Sequence, residues 1–162
     1  MSEQERGLSA APVAAAEMLI RRPAAEVFAA FTDPAITSRF WFSHGSGPLA
    51  PGATVTWTWE WYGFSMPATV TAFEPERLLV VDWGAPGEAT QITWRFTPRD
   101  DGTTMVRVEN RGFTGDADAQ VAGAINSTEG FTFVLAGAKA WLEHGVQLNL
   151  VPDRFPDGLG DE

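Results

Sequence analysis

The chain has two histidines, His44 and His144, and no cysteine. Imidazole titrates near neutrality, so either ring is a candidate proton carrier. His44 sits in the loop-like stretch His44-Gly45-Ser46-Gly47-Pro48, shortly after Trp41. There it is either an acid/base at a pocket mouth or simply solvated. His144 ends an alanine-rich stretch, where a cation favours the negative end of a helix. Glu60 and Asp82 are candidate general bases, but a catalytic carboxylate needs an orienting partner and a raised pKa. Glu60 alternates with threonines on what reads as an outer strand face, and the run around Asp82 is apolar on both faces. The single tyrosine, Tyr62, completes no acid/base pair, and no catalytic residue is assigned. No G-x-S-x-G elbow and no phosphate-cradling glycine loop occurs. The absence of cysteine excludes disulfides, thiol catalysis and thiolate metal sites. The histidines lack metal-ligand spacing and no Asp/Glu cluster replaces them, so neither a metal nor a cofactor is expected.

The aromatic residues say more. Val55, Trp57, Trp59 and Trp61 alternate with Thr54, Thr56, Thr58 and Glu60. Side chains alternate sides along a strand, so the three indoles share one face. Trp83 and Trp94 follow in later strands. Such a face either fills a core or walls a pocket for an apolar ligand. Buried indole N–H groups need acceptors, so the crowding hints at internal polar groups. Asn110 continues the inward set of Val106 and Val108. Its amide either fixes a ligand carbonyl or is satisfied by backbone near a strand end.

The elements that would hold these residues can be read from pattern. Residues 1–11 form a loose tail, and Pro12 to Arg21 reads as a first strand. Pro23 opens a helix through Phe31, and Asp33-Pro34 opens a second short one to about Trp41. Five strand-like runs follow: Ala53–Tyr62, Phe64–Phe73, Arg77–Trp83, Thr90–Thr97 and Thr104–Gly112. Their short connections predict an antiparallel meander. Pro67 inside the second run predicts a bulge or an edge position. From Ala117 to about His144 the period becomes helical, with Phe131, Leu135, Ala138 and Leu142 on one face. Asn126-Ser127-Thr128-Glu129 resembles a capping box, which predicts a short helix, a break, then a long helix ending at Gly145. The tail over 149–162 reads as irregular. Gly123, Gly130 and Gly137 recur along one side of the helix, where they allow close backbone approach or leave room for a guest. Phe133 points away from Phe131, towards a dimer contact or cover by the tail around Phe155.

The plan is a two-layer α+β domain over 12–148: a curved antiparallel sheet of about six strands wrapped around a long C-terminal helix, with two short helices after the first strand. No run approaches the roughly 20 apolar residues that span a bilayer. The net charge of −10 argues against nucleic acid and anionic membranes as partners. The polar start, Met1-Ser2-Glu3-Gln4-Glu5-Arg6, lacks the features of a secretory signal, so a cytoplasmic location is expected.

Three segments carry a resemblance: Arg22-Pro23-Ala24-Ala25-Glu26-Val27-Phe28 with Asp33-Pro34; Phe73-Glu74-Pro75-Glu76-Arg77-Leu78; and Gly130-Phe131-Thr132-Phe133-Val134-Leu135 with Leu142-Glu143-His144-Gly145. In this order they resemble the helix-grip superfamily of START domains, the birch-pollen allergen and polyketide cyclases. Within it they are most similar to the bacterial group like the C-terminal domain of the activator of the heat-shock-protein ATPase. The resemblance implies a cavity between sheet and C-terminal helix that takes a small hydrophobic molecule. Trp41, His44, Trp57, Trp59, Trp61, Trp94, Asn110, Phe131 and Leu135 are its expected lining. The alternatives are a cyclase- or hydrolase-like enzyme on the same scaffold and a chaperone-binding module. The eukaryotic activators carry an additional N-terminal domain, for which this chain has no room. Fold alone does not choose among these.

Overall fold

The computed structural model describes residues 7–85 and 87–159. The polar start at residues 1–6 lies outside them. The sheet has seven antiparallel strands in the order β1-β7-β6-β5-β4-β3-β2. They are β1 Ala14–Ile20, β2 His44–Gly45, β3 Thr54–Trp59, β4 Phe64–Glu74, β5 Leu78–Trp83, β6 Thr90–Pro98 and β7 Thr104–Arg111. β3 to β7 form the expected meander, and β1 closes onto β7. The added strand is β2, where His44 pairs with Thr58 and Gly45 with Trp57.

Two helices follow β1. α1 spans Ala24–Thr32 after Pro23, and α2 spans Pro34–Thr37 with the Asp33 carboxylate accepting from the Ala35 amide. The chain then turns on Thr37, whose carbonyl accepts from the Trp41 amide at 3.0 Å. This turn drives Trp41 inward. α3, Ala117–His144, is one unbroken helix of 28 residues. Asp116 caps its start by accepting from Ala119, and Gly145 in the left-handed region (φ 65°) ends it. The expected break near Asn126 is therefore absent: the cap lies ten residues earlier, and Ser127 turns its hydroxyl to Asn110 instead. Within the tail read as irregular, Leu150–Arg154 forms a short helix, α4.

Pro67 is neither at an edge nor at the bulge, which falls between Val70 and Ala72. The last β4–β5 pair is Ala68 with Trp83, and beyond it the Gly84 amide donates to the Pro67 carbonyl. The Val70 amide donates toward β3, so by alternation Ala68 does too and the Pro67 nitrogen faces the side where β5 has ended. Its missing N–H costs no ladder bond there.

The core lies between the concave sheet face and the helices. Val55, Trp57, Trp59, Val70, Ile92, Trp94, Phe96, Val106 and Val108 are all buried. In β5, where pattern assigned no side, Leu79 and Val81 point inward. Phe131, Leu135 and Ala138 of α3 meet this face. Lys139 donates from Nζ to the Leu19 carbonyl on edge strand β1, and the Glu143 carboxylate accepts from the Arg21 amide. On the outer face Arg107 pairs with Glu17 and Glu109, and Arg111 pairs with Glu109.

Candidate functional site

Beside this core the sheet and α3 part to leave a cavity of about 560 Å³. That is within the range of small-molecule chambers, roughly 300–1,000 Å³. Trp59, Phe64 and Trp83 wall it from the sheet, Phe131 and Val134 from α3, and Trp41 from the turn after α2. Trp41 is the hub of the rings. Its centroid lies 4.8 Å from Trp57, 5.7 Å from Trp83, 5.9 Å from Trp94 and 5.6 Å from Phe131. Each such pair contributes about 0.5–1.5 kcal/mol beyond its buried area.

The tail supplies the remaining wall through Val151, Arg154, Phe155 and Leu159. Hydrogen bonds and ring contacts hold it. The Tyr62 hydroxyl donates to the Val151 carbonyl. Arg154 donates to Glu129 at 3.0 Å and to the Asn126 side-chain oxygen at 2.7 Å. Its guanidinium lies over the rings of Phe155 and Phe133, at 4.8 and 5.9 Å. Of the two expectations for Phe133, cover by the tail is therefore what the structure shows. Burial pushes the Tyr62 phenol above its ordinary pKa, and the nearby Arg154 charge opposes this.

One polar cluster interrupts the apolar wall. Asn110, 1% exposed, donates from Nδ2 to Thr90 Oγ1 and to the Gln91 carbonyl, both at 2.9 Å. Its Oδ1 accepts from Ser127 Oγ at 2.8 Å. Trp83 Nε1 donates to the same Thr90 hydroxyl at 2.8 Å. Asn110 is thus satisfied, mostly by side chains rather than by backbone alone. Trp94 Nε1 is buried and has no acceptor among the described residues.

The expected lining divides into three groups. Trp41, Trp59, Asn110 and Phe131 stand on the wall. Trp57, Trp94 and Leu135 are buried in the solid core adjoining it, at 2%, 1% and 0% exposure. His44 and Trp61 are elsewhere. His44 pairs with Thr58, whose side chain meets Ser65 on the outer face, so the imidazole faces outward and is exposed. Trp61 breaks the expected alternation because the strand ends at Trp59 and Glu60–Tyr62 forms a 3-10 turn closed by Gly63 at φ 72°. The turn leaves Trp61 38% exposed and brings Tyr62 to the cavity instead.

Thr90 and Ser127 were legible but not singled out for this wall, and Trp83, read with the same row of rings, stood outside the expected lining. Thr90 is in alternation with Ile92 and Trp94, and Trp83 with Val81. Ser127 lies one helical turn before Phe131. Arg154 and Phe155 had no periodic signal, and their position depends on the tail folding back. Among the described residues no cluster of three His, Asp or Glu could hold a metal, and no helix is long and apolar enough to cross a membrane.

Several known proteins share this architecture. SSP2350 from Staphylococcus saprophyticus is 29% identical with a TM-score of 0.72, covering 84% of this chain and 95% of its own. DynU16, from the dynemicin biosynthetic locus, is 23% identical at TM-score 0.71, covering 84% of this chain and 49% of its own. The Aha1 dimer from Colwellia psychrerythraea is 18% identical at TM-score 0.70, covering 82% of this chain and 97% of its own. The last two likenesses show the fold alone. No curated protein matches the chain. Residues 21–143, most of the folded domain, match the family described as Activator of Hsp90 ATPase homolog 1-like protein, and the chain belongs to that family.

Proposed function

We propose that the protein binds a small hydrophobic molecule between its sheet and α3 and performs no chemistry on it. The supporting observation is the cavity of about 560 Å³, walled by Trp41, Trp59, Phe64, Trp83 and Phe131. Rings of this kind present large apolar faces at little conformational cost. The titratable groups on the wall are ill placed for catalysis. The Tyr62 proton is held by the Val151 carbonyl, Arg154 is neutralised by Glu129, and Glu88 is exposed with no orienting side-chain partner among the described residues. Binding is proposed to occur in the cytoplasm.

The test is a panel of lipids, flavonoids and polyketides. A ligand quenches the fluorescence of the wall tryptophans and raises the melting temperature. At a hundredfold excess over Kd the stabilisation is about 2.7 kcal/mol. No quenching and no shift across the panel overturns the proposal. The family match favours a second reading, stimulation of a chaperone ATPase through an outer surface. A hydrolysis rate that the protein leaves unchanged removes it. Assembly as a homodimer is checked by light scattering.

A further inference from the structure

We infer that Thr90 and Ser127 form a directional site for a neutral hydroxyl on the cavity's ligand. This inference rests on the cavity being a binding chamber and names the class of molecule it takes.

The directions of the hydrogen bonds carry the argument. The Gln91 carbonyl can only accept, so the Asn110 atom facing it is Nδ2. The other amide atom, facing Ser127, is then the oxygen, and the Ser127 hydroxyl must spend its hydrogen there. Thr90 Oγ1 receives Nδ2 of Asn110 and Nε1 of Trp83, two groups that can only donate in these contacts. Both of its lone pairs are occupied. Its own hydrogen is directed elsewhere, and among the described residues it donates to none. Ser127 Oγ, having given its hydrogen, keeps its lone pairs, and among the described residues it accepts from none. Both residues line the cavity. Asn110 therefore polarises its neighbours oppositely: a fixed donor at Thr90 and a fixed acceptor at Ser127.

A ligand hydroxyl can use either group, because it both accepts and donates. A carbonyl or ether uses Thr90 alone. A hydrocarbon leaves both unpaired, which carries a desolvation cost. A carboxylate meets a single O–H donor and the lone pairs of Ser127, too little to hold a buried anion. The charged wall residues, Glu88 and Arg154, make no bond to this cluster, and Arg154 is committed to Glu129 and Asn126. The favoured guest is an apolar ring system or chain bearing a phenol or alcohol.

Equilibrium dialysis of the full chain near neutral pH with para-phenylphenol, biphenyl and para-phenylbenzoate tests this. The wild type is expected to bind the phenol about tenfold more tightly than biphenyl, and the benzoate more weakly than both. Thr90→Val keeps the side-chain shape and removes the donor, so the preference narrows: the phenol keeps only Ser127, and biphenyl no longer leaves a Thr90 hydroxyl unpaired. The Thr90→Val/Ser127→Ala double variant brings the preference to near one. Thr90→Ser retains the preference. If Thr90→Val fails to fold, Ser127→Ala carries the test: the phenol should lose its advantage over para-phenylanisole, which cannot donate. Equal binding of phenol and biphenyl by the wild type, a preference that survives loss of these hydroxyls, or tightest binding of the benzoate overturns the site while leaving the chamber intact. Retention of none of the probes overturns the chamber and the site together.

Discussion

The interior has a solid end and a hollow end, built from the same sheet and the same helix. At the solid end α1 brings Phe28 and Phe31 onto the sheet. Phe28 meets Phe73 and Phe96 edge-on at 5.2 Å, and Phe31 meets Phe40 at 5.4 Å. Leu135 and Ala138 close this end from the second half of α3, and Gly137 lets the Phe40 backbone come close. At the hollow end the first half of α3 offers Gly123, Ala124 and Ser127. Neither α1 nor α2 covers that end, and the last wall is the tail with its short helix α4. The difference shows that a chamber arises where a helix presents small residues opposite large rings. Close packing elsewhere keeps the helix from collapsing onto the sheet.

The largest contrast should come from truncation on each side. Phe31→Ala at the solid end is expected to cost about 3–5 kcal/mol in urea unfolding. Val151→Ala on the tail wall should cost about 1 kcal/mol or less, because the deleted methyls already face open space on one side. Equal losses would break the contrast.

The glycines sharpen it. A Cβ on Gly137 would lie 2.9 Å from Phe40 Cβ, so Gly137→Ala is expected to cost about 1–3 kcal/mol. At Gly130 the nearest atom is Arg154 Nη1 at 3.1 Å, the end of a flexible side chain. Gly130→Ala should therefore be neutral or gain up to about 1 kcal/mol from helix propensity. Thermal unfolding of the two variants side by side decides this.

Tyr62→Phe removes the bond to the Val151 carbonyl, with an expected loss of about 0.5–1.5 kcal/mol. Its effect should be local, seen as faster amide exchange in α4 with the solid end unchanged. The folded phenol titrates above its unfolded value, so this stabilisation is complete below the unfolded pKa. It is lost as pH rises through the folded pKa. The smallest effect belongs to the outer face. The Arg107 hydrogen bond, against the opposing effect of burial, holds Glu109 below the ordinary glutamate range. Its contribution is present above the unfolded pKa and lost as pH falls through the folded one. Glu109→Gln should change the acid limb by about 1 kcal/mol or less.

The fold was legible because its signals are local. Asp33-Pro34 and Gly145 mark helix ends where the capping chemistry requires them, and alternation from Thr54 to Trp59 marks a strand. The cap of α3 was misplaced, because Asn126-Ser127-Thr128-Glu129 imitates the signal that Asp116 supplies. Trp61 was misread because nothing in Trp57, Trp59, Trp61 announces the turn that Gly63 closes. His44 falls outside the expected lining and takes its solvated alternative, because a two-residue edge strand that turns it outward carries too little pattern to be seen. The candidate site was half legible. Trp59, Asn110 and Phe131 follow from periodicity, whereas Trp41 is turned inward by the turn after α2, and Tyr62, Arg154 and Phe155 reach the wall only through long-range contacts.

The amino-acid order alone determined the elements, the apolar sheet face and the helix that covers it, because period and capping act over a few residues. Only the tertiary structure decided which rings fill the core and which border the cavity. It also decided that the tail folds back over Phe133, and which way the Asn110 amide faces. Those depend on the distance between sheet and helix and on donors brought together from β6, β7 and α3, none of which is written in any one segment.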